Sequence, residues 1–128
     1  MLKNKIIDIN ELAKKHNLYF FASLIFAVTI LVLSVIPGFA GGINTGVSAH
    51  GLAYFVFSLT AALYFRANRF KSPLLKAVLL AGLYGVFIEF VQYFIPYRQF
   101  DVGDIFVNFS AALIAVIPNF VLMQKKWI

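Results

Sequence analysis

Residues 89–108 read EFVQYFIPYRQFDVGDIFVN, and they gather Glu89, Gln92, Arg98, Asp101, Asp104 and Asn108 in a chain that is 62% hydrophobic. Of the 5 acidic residues, only Asp8 and Glu11 lie elsewhere. Glu89 stands inside an apolar run long enough to cross a bilayer. An ionisable side chain there costs roughly 2.5–3.5 kcal/mol or more and by default marks a functional site. The residue types suit chemistry on a polar group presented at a membrane. Glu89 can act as a general base, with His50 sharing proton transfer and Asp104 completing the catalytic set. The forked guanidinium of Arg98 matches phosphate. A variant of this chemistry has Glu89, Asp101, Asp104 and His50 bind a divalent cation that bridges to the phosphate; hard oxygen ligands favour magnesium, calcium or manganese. The spacing fits no standard metal motif, so the cofactor stays unassigned. No Ser or Cys nucleophile accompanies His50, which argues against triad-like acyl transfer.

These side chains have to be positioned by membrane helices. Mean hydropathy is +0.87 and 12% of residues are charged, against about a quarter in soluble domains. The 128 residues carry four long apolar runs and no cysteine, so disulfide and thiol chemistry are excluded. The runs extend from about Leu18 to Ile36, Val47 to Phe65, Pro73 to Ile95, and Asp104 to Met123. Pro37-Gly38 and Pro96 stop the first and third, Pro73 opens the third, and Pro118 predicts a kink in the fourth. Continuous rather than alternating runs make these helices. The predicted fold is an all-α membrane protein, a four-transmembrane-helix bundle.

The net charge of +6 does not indicate nucleic acid, because the basic residues flank the apolar runs. Lys3, Lys5, Lys14 and Lys15 precede the first run; Arg66, Arg69, Lys71 and Lys76 surround the second loop; Lys125 and Lys126 follow the last. The positive-inside rule predicts both termini in the cytoplasm and the 89–108 region outside. Residues 1–17 form a cytoplasmic segment, 18–123 the transmembrane domain and 124–128 a basic tail. Leu2, Ile6, Ile9 and Ala13 sit at helical spacing among lysines, which suits a short amphipathic helix on the inner surface, the alternative being a disordered basic tail. The first apolar run is of transmembrane length, so an uncleaved anchor is expected rather than a signal peptide. His16 is read as an interfacial residue.

Spacing also predicts faces. Ala81, Gly85 and Glu89 recur at four-residue intervals, with Gln92 three further on. Small residues let membrane helices approach closely, so this stripe faces other helices. His50, Tyr54, Ser58 and Ala61 form a matching stripe, as do Asp104, Asn108, Ala111 or Ala112, and Ala115. Ser23, Ala27 and Ser34 look like a packing face. The stripes would bring His50, Glu89, Gln92, Asp104 and Asn108 to one outward-opening pocket, with Arg98 and Asp101 at its rim.

The late residues resemble the motif of the VanZ-like membrane proteins: Glu89-Phe-Val-Gln92, then Pro96-Tyr-Arg98, then Asp101-Val-Gly-Asp104-Ile-Phe-Val-Asn108. His50 followed by Tyr54 resembles the family's earlier histidine and aromatic pair. The resemblance covers about residues 20–122. Two features depart from it: Val47 stands where many members have lysine, and Ser110, Ala111 and Ala112 stand where glycine is common. No role is therefore carried over for that lysine.

The resemblance implies a bacterial cytoplasmic-membrane protein of the cell envelope. The family's named member is associated with resistance to the lipoglycopeptide teicoplanin. The expected function is to bind or modify a lipid or cell-wall precursor at the outer leaflet, lowering glycopeptide susceptibility. Glu89, His50 and Asp104 are the expected catalytic set, and Gln92, Arg98, Asp101, Asn108 and Tyr54 the expected substrate contacts. The partners are the bilayer and a lipid-linked precursor or phosphate-bearing lipid, with oligomerisation open.

Quieter readings stand beside these. Glu89 can be a structural partner for His50 or Arg98. Asp104 and Asn108 can cap a helix start, and Tyr54, Tyr93 and Tyr97 can belong to an aromatic belt. A non-catalytic scaffold is the alternative function. Proton-coupled transport is a further one, opposed by polar groups confined to the outer half.

Overall fold

The computed structural model describes residues 2–36, 43–96 and 102–124, with the side chains of 2–10, 12, 13, 43–50, 123 and 124 left aside. The described residues form five helices joined by turns: α1 Leu2–Val35, α2 Ile43–Ala67, α3 Pro73–Tyr93, α4 Val102–Ile114 and α5 Val116–Gln124. Three stretches are long and apolar enough to cross a membrane, Lys14–Val35, Pro73–Tyr93 and Val102–Leu122. The apolar part described in α2, Gly51–Ala67, is shorter.

Residues 2–35 form one helix rather than a short amphipathic helix or loose tail followed by a separate span. Nothing between them interrupts it, since the stretch holds neither proline nor glycine. His16 packs its ring against Tyr64 of α2 at 5.2 Å. The fourth run is divided at Ala115, three residues before Pro118. The proline has no N–H for the Ile114 carbonyl and its ring crowds that turn. The ladder continues on both sides, from Ala115 N to Ala111 O and from Asn119 N to Ala115 O.

A Schellman-type cap ends α2. Phe70 N donates to Phe65 O and Arg69 N to Arg66 O. Arg69 takes the left-handed conformation, φ 60°, at the position usually held by glycine. The accompanying apolar contact is Phe65 against Phe70, at 5.3 Å between ring centroids.

α2 is central: it packs against α1, α3 and α4, whereas α1 touches α3 only lightly. Two bonds tie α1 to α3, from Tyr84 OH to Ala27 O at 2.5 Å and from Gln92 Nε2 to Ser34 O at 3.1 Å. Their register shows that α1 and α3 run parallel. Ser58 Oγ donates to Ala112 O at 3.2 Å between α2 and α4. Small residues run through the buried seam, Ala61, Ala62, Ala77, Ala81, Ala111, Ala112 and Ala115, beside larger ones such as Phe57 and Ile88. Such residues let helices approach where no hydrophobic drive separates lipid from protein. Large apolar side chains point outward instead, among them Leu18, Ile25, Leu83, Phe87, Phe106 and Ile117. That arrangement suits a hydrocarbon surround rather than water.

Tyr84→Phe removes the bond to Ala27 while keeping the ring. Interhelical hydrogen bonds in membranes contribute about 0.6 kcal/mol on average and about 1.7 kcal/mol at most. A loss of unfolding free energy in that range is expected from denaturant titration of the purified protein in micelles.

Candidate functional site

The site lies where the C-terminal end of α3 meets the N-terminal end of α4 and the middle of α2. Glu89 is four residues from the end of α3, about 6 Å along the axis. It is 1% exposed, Gln92 3%, Asn108 1% and Tyr54 0%. Four polar side chains are thus withdrawn from the surface within an apolar bundle, although buried polar groups are expensive unless hydrogen-bonded.

Gly85 brings three of the elements together. A Cβ placed on it would meet Asn108 Nδ2 at 3.0 Å, Asn108 Cβ at 3.2 Å and Tyr54 Cε1 at 3.4 Å. α3 therefore presents bare backbone to the Asn108 amide and the Tyr54 ring. Glu89 follows Gly85 by one turn on the same face, and both it and Asp104 lie within electrostatic range of the Tyr54 phenol. Asp104 is half-buried in the first turn of α4, where its carboxylate also complements the helix dipole. Glu89 and Asp104 both interact with other groups.

The Tyr54 hydroxyl and Asn108 Oδ1 are buried with no hydrogen-bond partner among the described residues. Gln92 is anchored differently, since its Nε2 donates to Ser34 O. It braces α3 against α1 beside the cluster. The expected packing face of α1 includes that contact: Ala27 and Ser34 supply carbonyl acceptors to α3, and Ser34 is fully buried.

The structure thus brings Tyr54, Glu89, Asp104 and Asn108 into one neighbourhood, with Gln92 at its edge. Tyr54 is not a belt residue. It lies at the helix crossing because Gly85 leaves room for its ring, whereas Tyr93 is exposed as a belt residue would be. The His50 side chain, Tyr97, Arg98 and Asp101 lie outside the described residues. No group of three or more metal-ligating side chains gathers among the described residues. The cation set of Glu89, Asp101, Asp104 and His50 includes two members beyond that description.

Sequence reasoning missed Asn119, which is 1% exposed on α5, with Oδ1 lacking a partner among the described residues. A buried polar group therefore also occupies the opposite half of the bundle. The available signal was an amide directly after Pro118 in an apolar span.

The profile of the VanZ/LLP1 family matches residues 6–122. A protein of Schizosaccharomyces pombe (strain 972 / ATCC 24843), described as uncharacterized, is 28% identical over 103 residues. The aligned part is 77% of this chain and 63% of that relative, so the chain spans less than two thirds of the relative's length. No solved structure matches this chain. With nearly every described helix inside the matched range, and with Glu89, Gln92, Asp104 and Asn108 gathered at one end of the bundle, the chain belongs to the VanZ/LLP1 family.

Proposed function

We propose that this protein is a four-span envelope membrane protein, both termini cytoplasmic, that binds the polar headgroup of a membrane lipid or lipid-linked precursor in the Tyr54–Glu89–Asp104–Asn108 cluster. The observation that carries this reading is the pair of buried, unpartnered polar atoms, Tyr54 OH and Asn108 Oδ1, whose side chains pack at Gly85, one turn before the buried carboxylate of Glu89. A bundle that needed only polar glue would be expected to pair such atoms. A headgroup with a hydroxyl or amine beside its phosphate offers a donor to Asn108 Oδ1 and an acceptor to Tyr54 OH. The basic residues around 66–76 favour the 67–73 turn on the cytoplasmic side, and hence the cluster opening outward. Arg98 stands close in sequence to the cluster, and its guanidinium would contribute phosphate recognition.

A fungal relative favours a ligand available to the membranes of both kinds of organism, a lipid before a peptidoglycan precursor. Where the ligand is turned over, Glu89 is the base, His50 shares the proton and Asp104 orients the group attacked. A bound divalent cation is compatible with the carboxylates but carries no step.

The test is expression of wild type and Asp104→Asn at matched membrane levels in a Gram-positive host. Teicoplanin susceptibility is measured and lipid and precursor extracts are compared. Wild type is expected to change susceptibility or the extract profile, and Asp104→Asn to reduce that change about tenfold, the weight of one charged contact of about 1.4 kcal/mol. Equal effects of both proteins would remove Asp104 from the site. No effect of wild type on either readout would overturn envelope binding.

A further inference from the structure

At the end of the bundle opposite Glu89, the start of α1 packs on the end of α2. Of the 11 Lys and Arg residues, all but Arg98 fall within residues 1–17, 66–76 and 124–128, and the carboxylates of those segments are Asp8 and Glu11. Most of the cations described there are exposed or already engaged. Lys14 is exposed and pairs with Glu11 at 3.7 Å. Lys76 donates to the Lys71 carbonyl and lies over the Phe70 ring, closing the turn between α2 and α3. Arg69 and Lys71 are exposed. Lys15 and Arg66 differ, because both are half-buried.

Ring contacts fix where those two cations stand. His16 and Phe20, one turn apart on α1, both meet the Tyr64 ring, at 5.2 and 5.8 Å between centroids. Arg66 follows Tyr64 by two residues and so leaves the other side of α2, where its charge reaches the Tyr19 phenol. Tyr19 follows Lys15 by one turn and shares its face of α1. Lys15, Tyr19 and Arg66 therefore lie together beside the aromatic contact. The apolar stretches Lys14–Val35 and Gly51–Ala67 carry Lys15 and Arg66 in their terminal turns. That is the depth at which hydrocarbon gives way to headgroups.

Cations partly withdrawn from water call for an anion. Glu11 is exposed and engaged by Lys14. The carboxylates of the other cluster are remote, since Tyr54 beside them is about 18 Å from Arg66 along α2. Arg66 also engages another group, but a guanidinium has five donors in a fork that matches phosphate. An acidic protein would meet the exposed Lys14, Arg69 and Lys71 first. A lipid phosphate reaches a pair recessed at the edge of the hydrocarbon, and basic pockets between membrane helices bind acidic headgroups. We propose that Arg66 and Lys15, with the Tyr19 hydroxyl beside them, hold the phosphate of an anionic lipid in the leaflet at the basic end of the bundle. This site stands independently of the Tyr54–Glu89–Asp104–Asn108 cluster.

The full chain is reconstituted in vesicles of equal parts phosphatidylcholine and phosphatidylglycerol, extracted in a mild detergent and washed. The lipid it retains is quantified by mass spectrometry. Wild type is expected to keep phosphatidylglycerol several-fold over phosphatidylcholine. Arg66→Gln is expected to bring that ratio close to parity and Lys15→Gln to lower it, with helix content by circular dichroism unchanged. Arg66→Lys, which keeps the charge and loses the fork, falls between wild type and Arg66→Gln. Lys71→Gln removes the same charge from an exposed position at the same end and is expected to keep the wild-type ratio. Equal retention of the two lipids by wild type overturns the proposal. A fall in Lys71→Gln as large as that in Arg66→Gln overturns it too, because it reports the surface charge of this end rather than a site. Wild-type ratios in both Arg66→Gln and Lys15→Gln do the same. Lys15→Gln carries the comparison if Arg66→Gln loses folded protein.

Discussion

Glu89→Gln is expected to lower the envelope effect by at least about tenfold while the protein accumulates in the membrane at the wild-type level. The carboxylate is 1% exposed and lies one turn beyond Gly85, the point where α3 touches both Asn108 and Tyr54. Glutamine keeps its size and a carbonyl oxygen, so the packing of α3 against α2 and α4 is retained. What disappears is the capacity to carry negative charge or exchange a proton. Where Glu89 transfers a proton to or from the ligand, the rate falls by about 10²–10⁴-fold. A binding role alone gives a graded loss, and no new product distinguishes wild-type extracts from controls. The same experiment thus separates turnover from recognition. Wild-type effect in Glu89→Gln would assign the carboxylate to structure.

Gly85→Leu is expected to have the largest effect on stability. Even a Cβ at this position comes within 3.0–3.4 Å of Asn108 and Tyr54, which are themselves buried. A branched side chain has nowhere to go without separating α3 from α4. Overpacking commonly costs about 1–3 kcal/mol, and a value at or above the upper end is expected here. It is read as a loss of folded protein in micelles on denaturant titration. Gly85→Ala asks its neighbours to give only a few tenths of an ångström, so it is expected to keep the fold and displace the Asn108 amide. Gly82 is a useful contrast. Its added Cβ would fall 1.9 Å from the Phe109 ring, but that ring is half-exposed and can swing outward. Gly82→Ala is therefore expected to be rescued by Phe109→Ala, whereas no single truncation rescues Gly85→Leu.

The buried stripes were legible in the sequence because their spacing and composition carried the same message. Ala81, Gly85 and Glu89 recur every four residues, and small residues in an apolar span mark a helix contact. The structure buries all three, and it buries Ser58, Asn108 and Ala112 on the facing helices. Tyr54 was harder to place, since tyrosine is equally at home at a membrane interface. Only the absent side chain of Gly85, on another helix, decides that it goes inside. The bonds from Tyr84 and Gln92 to α1 were not legible either, because their acceptors are backbone carbonyls that every residue possesses. Continuity of α1 across residue 17 went unread for a different reason. The change from charged to apolar composition resembles a boundary, but composition does not break a helix that lacks proline and glycine.

The most direct test of the central claim, that the cluster is a ligand site rather than polar glue, is Tyr54→Phe, with unfolding free energy and envelope effect measured on the same variant. The hydroxyl is buried and has no partner among the described residues, so its removal leaves no described hydrogen bond broken. Stability is expected to hold or to rise by up to about 1 kcal/mol, relieved of a buried unsatisfied group, while the envelope effect falls by up to about tenfold, the weight of one hydrogen bond to the ligand. A loss of stability of about 1 kcal/mol or more, with the envelope effect retained in proportion to the folded protein, would contradict the account and make Tyr54 a structural residue.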